Sequence, residues 1–197
     1  MLFRSNGAPL GAIVIVTYLL TFSCYGARLH GDERGSVDRN HNLVGARHLP
    51  CEPTWIDAER RNILQGEYHL DAPRRSIVIR SILEVCTHRC WLPIAVHVRT
   101  SHVHAVLDAP EPPEPVLTAL KSYASRALNR AGLDVPNRRR WSRHGSTRYL
   151  WNRVAIDRAV GYVAEGQGKP MELYLPDTGP RPLGSGGSPL TYRPSAP

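Results

Sequence analysis

Lysine is almost absent from this chain. Lys121 and Lys169 are the only two lysines among 25 basic residues, so the net charge of +8 is carried by arginine. That excludes a surface of flexible ammonium point charges and leaves guanidinium forks, which match phosphate oxygens two at a time. A surface of this sign attracts polyanions, although an arginine bias in the base composition of the gene would produce the same count. Closely spaced cysteine pairs are also scarce. Of the four cysteines, Cys86 and Cys90 stand four apart, and neither Cys24 nor Cys51 has a near partner. A paired-cysteine zinc site is therefore excluded, and four cysteines are too few for a disulfide framework in a chain of this size. They read as reduced, mostly buried thiols of a cytoplasmic protein. No internal repeat is present, and at 197 residues the chain suits one domain with its own core, hardly two. With 42% hydrophobic and 21% charged residues, the composition is globular.

Long apolar runs are lacking too. The longest candidate, residues 10–22, is too short for a comfortable membrane span. With Arg4 before it and Ser23-Cys24 after it, the run has the layout of a signal peptide, even a lipoprotein one anchored through Cys24. Its β-branched residues Ile13, Val14, Ile15, Val16 and Thr17 suit a buried strand equally well.

Read as elements, residues 11–25 form a first strand and 26–53 a polar, glycine-punctuated loop. Residues 55–65 form a short helix capped by Thr54, with Asp57 and Glu59 in its first turn. Residues 74–88 carry Ile77, Ile79, Ile82, Leu83 and Cys86 at helical spacing after Pro73. Residues 91–98 and 102–107 are two strands joined as a hairpin by Arg99-Thr100-Ser101. After four prolines between 110 and 115, a helix runs over 115–131 to Gly132. Basic and aromatic residues 138–151 contain another strand, and 153–166 form a final helix. From Pro176 onward proline, glycine and serine dominate, which predicts a disordered tail over 176–197. This order predicts an α+β sandwich, helices packed on one mainly antiparallel sheet. The domain spans 11–175, with residues 1–10 as an N-terminal extension.

Two short patterns carry chemistry. In His102-Val103-His104 the imidazoles sit at i and i+2, so on a strand they project from one face while Val103 turns to the other. Two neutral imidazoles side by side are half of a metal site. Two surface histidines adjacent by accident, among nine in the chain, give the same pattern. In the final helix, Tyr162 is followed by Glu165 at i+3 and Gln167 at i+5, either of which could add an oxygen ligand. Oxygen ligands favour Mg²⁺ or Mn²⁺. An amphipathic helix with a core tyrosine and a glycine stop accounts for the same residues.

Together the two patterns resemble the single-tyrosine HUH transposases, the insertion-sequence enzymes and the REP-associated tyrosine transposases. The HUH motif stands in VRTSHVHAVL at 98–107, and Tyr162 to Gln167 looks like the late tyrosine helix, 58 residues after His104. The segment LTFSCYGARLHGDERG at 20–35 looks like an opening found in one branch of the family, which favours a strand over an export signal. The likeness spans residues 12–174. It implies a ferredoxin-like catalytic domain in which His102, His104 and a polar side chain after the tyrosine, Gln167 ahead of Glu165, hold Mg²⁺ or Mn²⁺. It implies that Tyr162 attacks a phosphodiester of single-stranded DNA carrying hairpin elements. A 5′-phosphotyrosine link and a free 3′-hydroxyl result, and rejoining needs no ATP because the ester energy is retained. Some relatives work as homodimers and others as monomers. The family's third ligand usually stands about one turn after the tyrosine, and here the i+4 position is Gly166, so Glu165 and Gln167 compete. Tyr123 and Tyr149 are rivals for the nucleophile by residue type alone.

For the DNA surface, residues 138–149 interleave cations with aromatics, a combination that suits phosphates on guanidiniums and bases on rings. The candidates are Arg138, Arg139, Arg140, Trp141, Arg143, Arg148 and Tyr149, joined by Lys121 and Arg126 from the preceding helix. A solvated basic loop is the plain alternative. The expectation is a transposase, cytoplasmic and nucleoid-associated with no membrane partner. A relic that binds nucleic acid without cutting it is the alternative.

Overall fold

The computed structural model describes residues 14–27 and 64–176. The expected N-terminal extension, residues 28–53 of the expected loop (Cys51 among them), most of the helix at 55–65, and residues 177–197 of the tail lie outside these residues. Five strands and three helices are found in the described part. They are β1 (Val16–Ser23), α1 (Ala72–Arg89), β2 (Leu92–Val98), β3 (His102–Ala109), α2 (Pro113–Arg130), β4 (Ser146–Leu150), α3 (Arg153–Ala164) and β5 (Glu172–Tyr174).

The strands form one antiparallel sheet in the order β4-β1-β3-β2-β5. This is the α+β sandwich that the sequence predicts, and its first four strands with α1 and α2 follow the ferredoxin-like split βαβ order. Each element has a local cause. The Asp71 side chain accepts from Arg74 N–H to open α1, with proline in the first turn, and Cys90 closes it in the left-handed conformation. Arg99 N–H donates to the His102 carbonyl (2.8 Å), closing the hairpin between β2 and β3.

Alternation along the strands sorts the side chains into two layers. Leu20, Phe22, Val96, Val98, Val103, Ala105 and Leu107 bury against α1 and α2, whose own contribution includes Val78, Ile79, Ile82, Val85, Val116, Leu120 and Leu128. Among the described residues, the other sheet face is covered by α3, in a smaller cluster of Ala95, Val106, Leu150, Ala159 and Val163. Of these, only Ala159 and Val163 belong to α3 and are buried. A fully buried valine contributes about 1.5–3 kcal/mol, so apolar packing holds α3 far less firmly than α1. The His97 imidazole adds a polar anchor to the end of α3.

Cys24 and Cys86 are buried free thiols and Cys90 is exposed. Burial pushes the Cys24 and Cys86 thiols up to about 12, which leaves them inert at neutral pH. Among the described residues no helix is long and apolar enough to cross a membrane. The strand β5 was not foreseen. Three residues are too few to show a period, and they become a strand only because the far edge of β2 accepts them at Val96, His97 and Val98.

Candidate active site

The alternation that sends Val103 and Ala105 into the larger core sends His102 and His104 to the α3 face. Their rings stand 4.8 Å apart at 76°. His104 is nearly fully buried, and both of its nitrogens face named partners. Nδ1 lies 2.7 Å from Thr21 Oγ1, on the strand residue directly opposite in β1. Nε2 lies 3.2 Å from Gln167 Oε1. His102 is partly buried, with Ser101 Oγ 3.1 Å from its Nδ1.

Tyr162, in the last turn of α3, brings its ring to 5.4 Å from the His104 ring at 73°. It remains 48% exposed, so the ring packs on the histidine while its surface stays open to solvent. The remaining tyrosines named above are placed elsewhere. Tyr123 lies on α2, across the sheet, between His88 and Arg126. Tyr149 is at the sheet edge beside Tyr18 and Trp151.

The turn after α3 explains how a residue five positions past Tyr162 comes back to it. Gly166 N–H donates to the Tyr162 carbonyl (3.0 Å), and Gln167 Nε2 donates to the same oxygen (3.4 Å). A Cβ on Gly166 would lie 2.8 Å from that carbonyl oxygen and 3.1 Å from Cδ2 of the Tyr162 ring. No side chain fits at i+4 without displacing these atoms, so glycine at 166 is a requirement of this turn. Gln167, not Glu165, is the residue delivered to His104. Glu165 is exposed at the helix C-cap. No group of three or more His, Cys, Asp and Glu side chains gathers among the described residues, so Glu165 does not join the histidine pair.

One participant went unnoticed in the sequence. His97, opposite His104 in the β2–β3 register, is fully buried on the same face. Its Nε2 accepts from Met171 N–H (3.2 Å), so its Nδ1–H donates to the Val163 carbonyl (2.7 Å). This neutral tautomer ties the end of α3 to β2 and to the approach of β5, on both sides of the turn that carries Gln167. Arg99 Nη1 adds a hydrogen bond to the Lys169 carbonyl (2.6 Å). Burial lowers the pKa of His97, partly offset by its bond to the Val163 carbonyl. The only signal in the sequence was a histidine in an apolar strand, which does not say what it holds.

The candidate DNA residues divide. Lys121 is turned inward, its Nζ donating to the carbonyls of Ser142 (3.0 Å) and His144 (3.0 Å), and burial lowers its pKa to about 8. Arg140 is buried and bonds Asp134 (2.7 Å) and the Asn129 side chain (2.8 Å). Burial by itself would raise the Asp134 carboxyl, but hydrogen bonds from Arg140, Tyr68 and Arg74 outweigh it and hold the group below its usual range. Arg138 donates to Gln65, Gly66 and Glu67. Trp141 packs its edge on Phe22 and donates to the Lys121 carbonyl and Ser125. These four build the fold. Arg126, Arg139, Arg143, Arg148 and Tyr149 are on the surface.

No protein-family model matches the chain, and no curated protein matches it. Among solved structures the chain is similar to a REP-associated tyrosine transposase bound to a REP hairpin. The identity is 14% and the TM-score 0.42, over 84% of this chain and 72% of that one.

Proposed function

We propose that this protein is a transposase-type single-strand DNA endonuclease and strand transferase. It cuts and rejoins DNA through a covalent 5′-phosphotyrosine on Tyr162. The observation that supports this reading is the meeting of Tyr162, His104 and Gln167, with the phenol ring 5.4 Å from an imidazole whose Nε2 is 3.2 Å from an amide oxygen. A merely structural tyrosine helix has no need of a histidine pair and a glutamine under its exposed ring.

The donor set fits a divalent cation of the Mg²⁺ or Mn²⁺ kind: imidazole nitrogens of His102 and His104 on one face, and the oxygen of Gln167 turned toward them. Such a cation, when bound, polarises the scissile phosphate and offsets charge growing on its oxygens. The remaining work belongs to the chain. The oxygen of Tyr162 forms a bond to phosphorus, the bond to the 3′ oxygen breaks, and the leaving strand takes a proton to become a 3′-hydroxyl. The phenol proton passes to solvent, which the exposure of Tyr162 permits. Holding the phenol in place against the phosphate contributes through proximity. Attack by a 3′-hydroxyl on the phosphotyrosine reverses every bond change and restores the phosphodiester.

Incubation of the protein with a hairpin-bearing oligonucleotide and Mn²⁺ tests the reading by denaturing gel. Wild type gives a DNA–protein adduct, and Tyr162→Phe, which keeps the ring, gives none. An undiminished adduct with the phenylalanine variant removes Tyr162 from the chemistry.

A further inference from the structure

A second feature lies on the other side of the sheet, at its β4 edge. Trp151 and Tyr149 are two residues apart and their rings stack, with centroids 5.3 Å apart and planes within 8°. Behind them Tyr18 meets Tyr149 edge-on at 5.2 Å, and Tyr18 is buried, its hydroxyl donating to the Glu111 carbonyl (3.2 Å). The stack is thus rooted in the core at one end and open at the other. Trp151 is 75% exposed and Tyr149 44%.

An indole this exposed leaves apolar surface in water at a cost, yet here it is held rigid by a stacked partner. Of the arginines next to it in the chain, Arg148 is exposed but turned by strand alternation to the other face of the sheet, and Arg153 at the start of α3 pairs with Asp157 (2.8 Å). Burial raises the pKa of Tyr18, and Tyr149, Glu114 and Glu111 raise it further. An open π-surface backed by a stacked ring, on a chain of net charge +8, matches a single-stranded nucleic acid. Its bases offer a flat face of any sequence and its phosphates the opposite charge.

We propose that Trp151, backed by Tyr149, is a stacking platform for an unpaired base of single-stranded DNA, outside the candidate cutting centre. Tyr149 pairs in register with Tyr18, which with Leu20 and Phe22 enters the α1/α2 layer, whereas the histidines lie on the α3 face. The platform therefore anchors a flanking stretch of the strand. The proposal shares with the strand-transfer reading only its nucleic-acid partner, and it stands or falls by itself.

The test uses the full chain carrying Tyr162→Phe, in EDTA, so that no cutting contributes. Fluorescence anisotropy measures its affinity for labelled oligo(dT) and for a duplex of equal length. Trp151→Ala is expected to weaken oligo(dT) binding about tenfold and to leave duplex binding unchanged, with Trp151→Phe in between. Thermal melting checks that the alanine variant is folded, as the exposure of the indole predicts. An oligo(dT) affinity unchanged by Trp151→Ala overturns the proposal. So does a change in oligomeric state on light scattering without a change in DNA affinity, which would make the indole a protein contact. Tyr162 chemistry is absent throughout, so failure here and failure of the adduct assay are distinct results.

Discussion

Thr21 and His104 face each other across β1 and β3, with Oγ1 2.7 Å from Nδ1. With the Gln167 amide oxygen before it, Nε2 of His104 carries the proton, and Nδ1 accepts from the Thr21 hydroxyl. A cation bound at Nε2 requires the opposite tautomer, in which Nδ1–H donates. A hydroxyl serves both, because it donates and accepts. Thr21 therefore orients the imidazole with or without a metal, in the way that second partners of ligating histidines do.

Replacing Thr21 by the near-isosteric valine removes that partner. Mn²⁺ affinity of Thr21→Val, by titration calorimetry, should fall about 10- to 100-fold, with Thr21→Ser close to wild type. Equal affinity of the valine variant would show that the hydroxyl orients nothing.

The two candidate oxygen ligands separate cleanly. Gln167→Ala should lose Mn²⁺ affinity about tenfold or more, since its amide lies against His104. Glu165→Ala should bind as wild type does. A larger loss for Glu165 than for Gln167 contradicts the assignment.

Acid should loosen the turn that carries Gln167. His97 is neutral when buried and its pKa is lowered from 6.5, so the unfolded chain binds its proton at a higher pH than the folded one. Its contribution is complete above pH 6.5 and is lost as pH falls below that value toward the lower folded pKa. Melting temperatures of metal-free wild type and His97→Gln, followed from pH 7.5 down to pH 5, should therefore converge. A constant gap between the two curves refutes the linkage.

Neighbouring arginines should behave differently. Arg140→Ala leaves the Asp134 carboxylate with only Arg74 and Tyr68 as partners, a loss on the order of 1–3 kcal/mol, visible in chemical denaturation. Arg143→Ala, on an exposed residue, should leave stability intact and lower the salt slope of DNA binding by about one. Reversed outcomes would mean that buried and exposed charge were exchanged in the structure.

The sequence already contained the local half of this molecule. Period-two alternation placed His102 and His104 on one face, and helical spacing with the flanking Pro73 marked α1 to within two residues at each end. The turn residues Arg99, Thr100 and Ser101 marked the hairpin. The same kind of evidence could not divide the basic stretch, since the pattern of arginines at 138–149 is silent on which guanidiniums meet a buried carboxylate. An apolar stripe on α3 says that the helix packs but not on which face of the sheet.

What the chain alone determined, then, is the set of elements and the facing of residues within each one. Both follow from backbone sterics and hydrogen bonding among near neighbours. The pairing of Thr21 with His104, the return of Gln167 past Gly166, and the clamp made by His97 were decided only by the tertiary fold. Each joins residues on different elements, and strand register and helix placement are settled by the packing of the whole core rather than by any local rule.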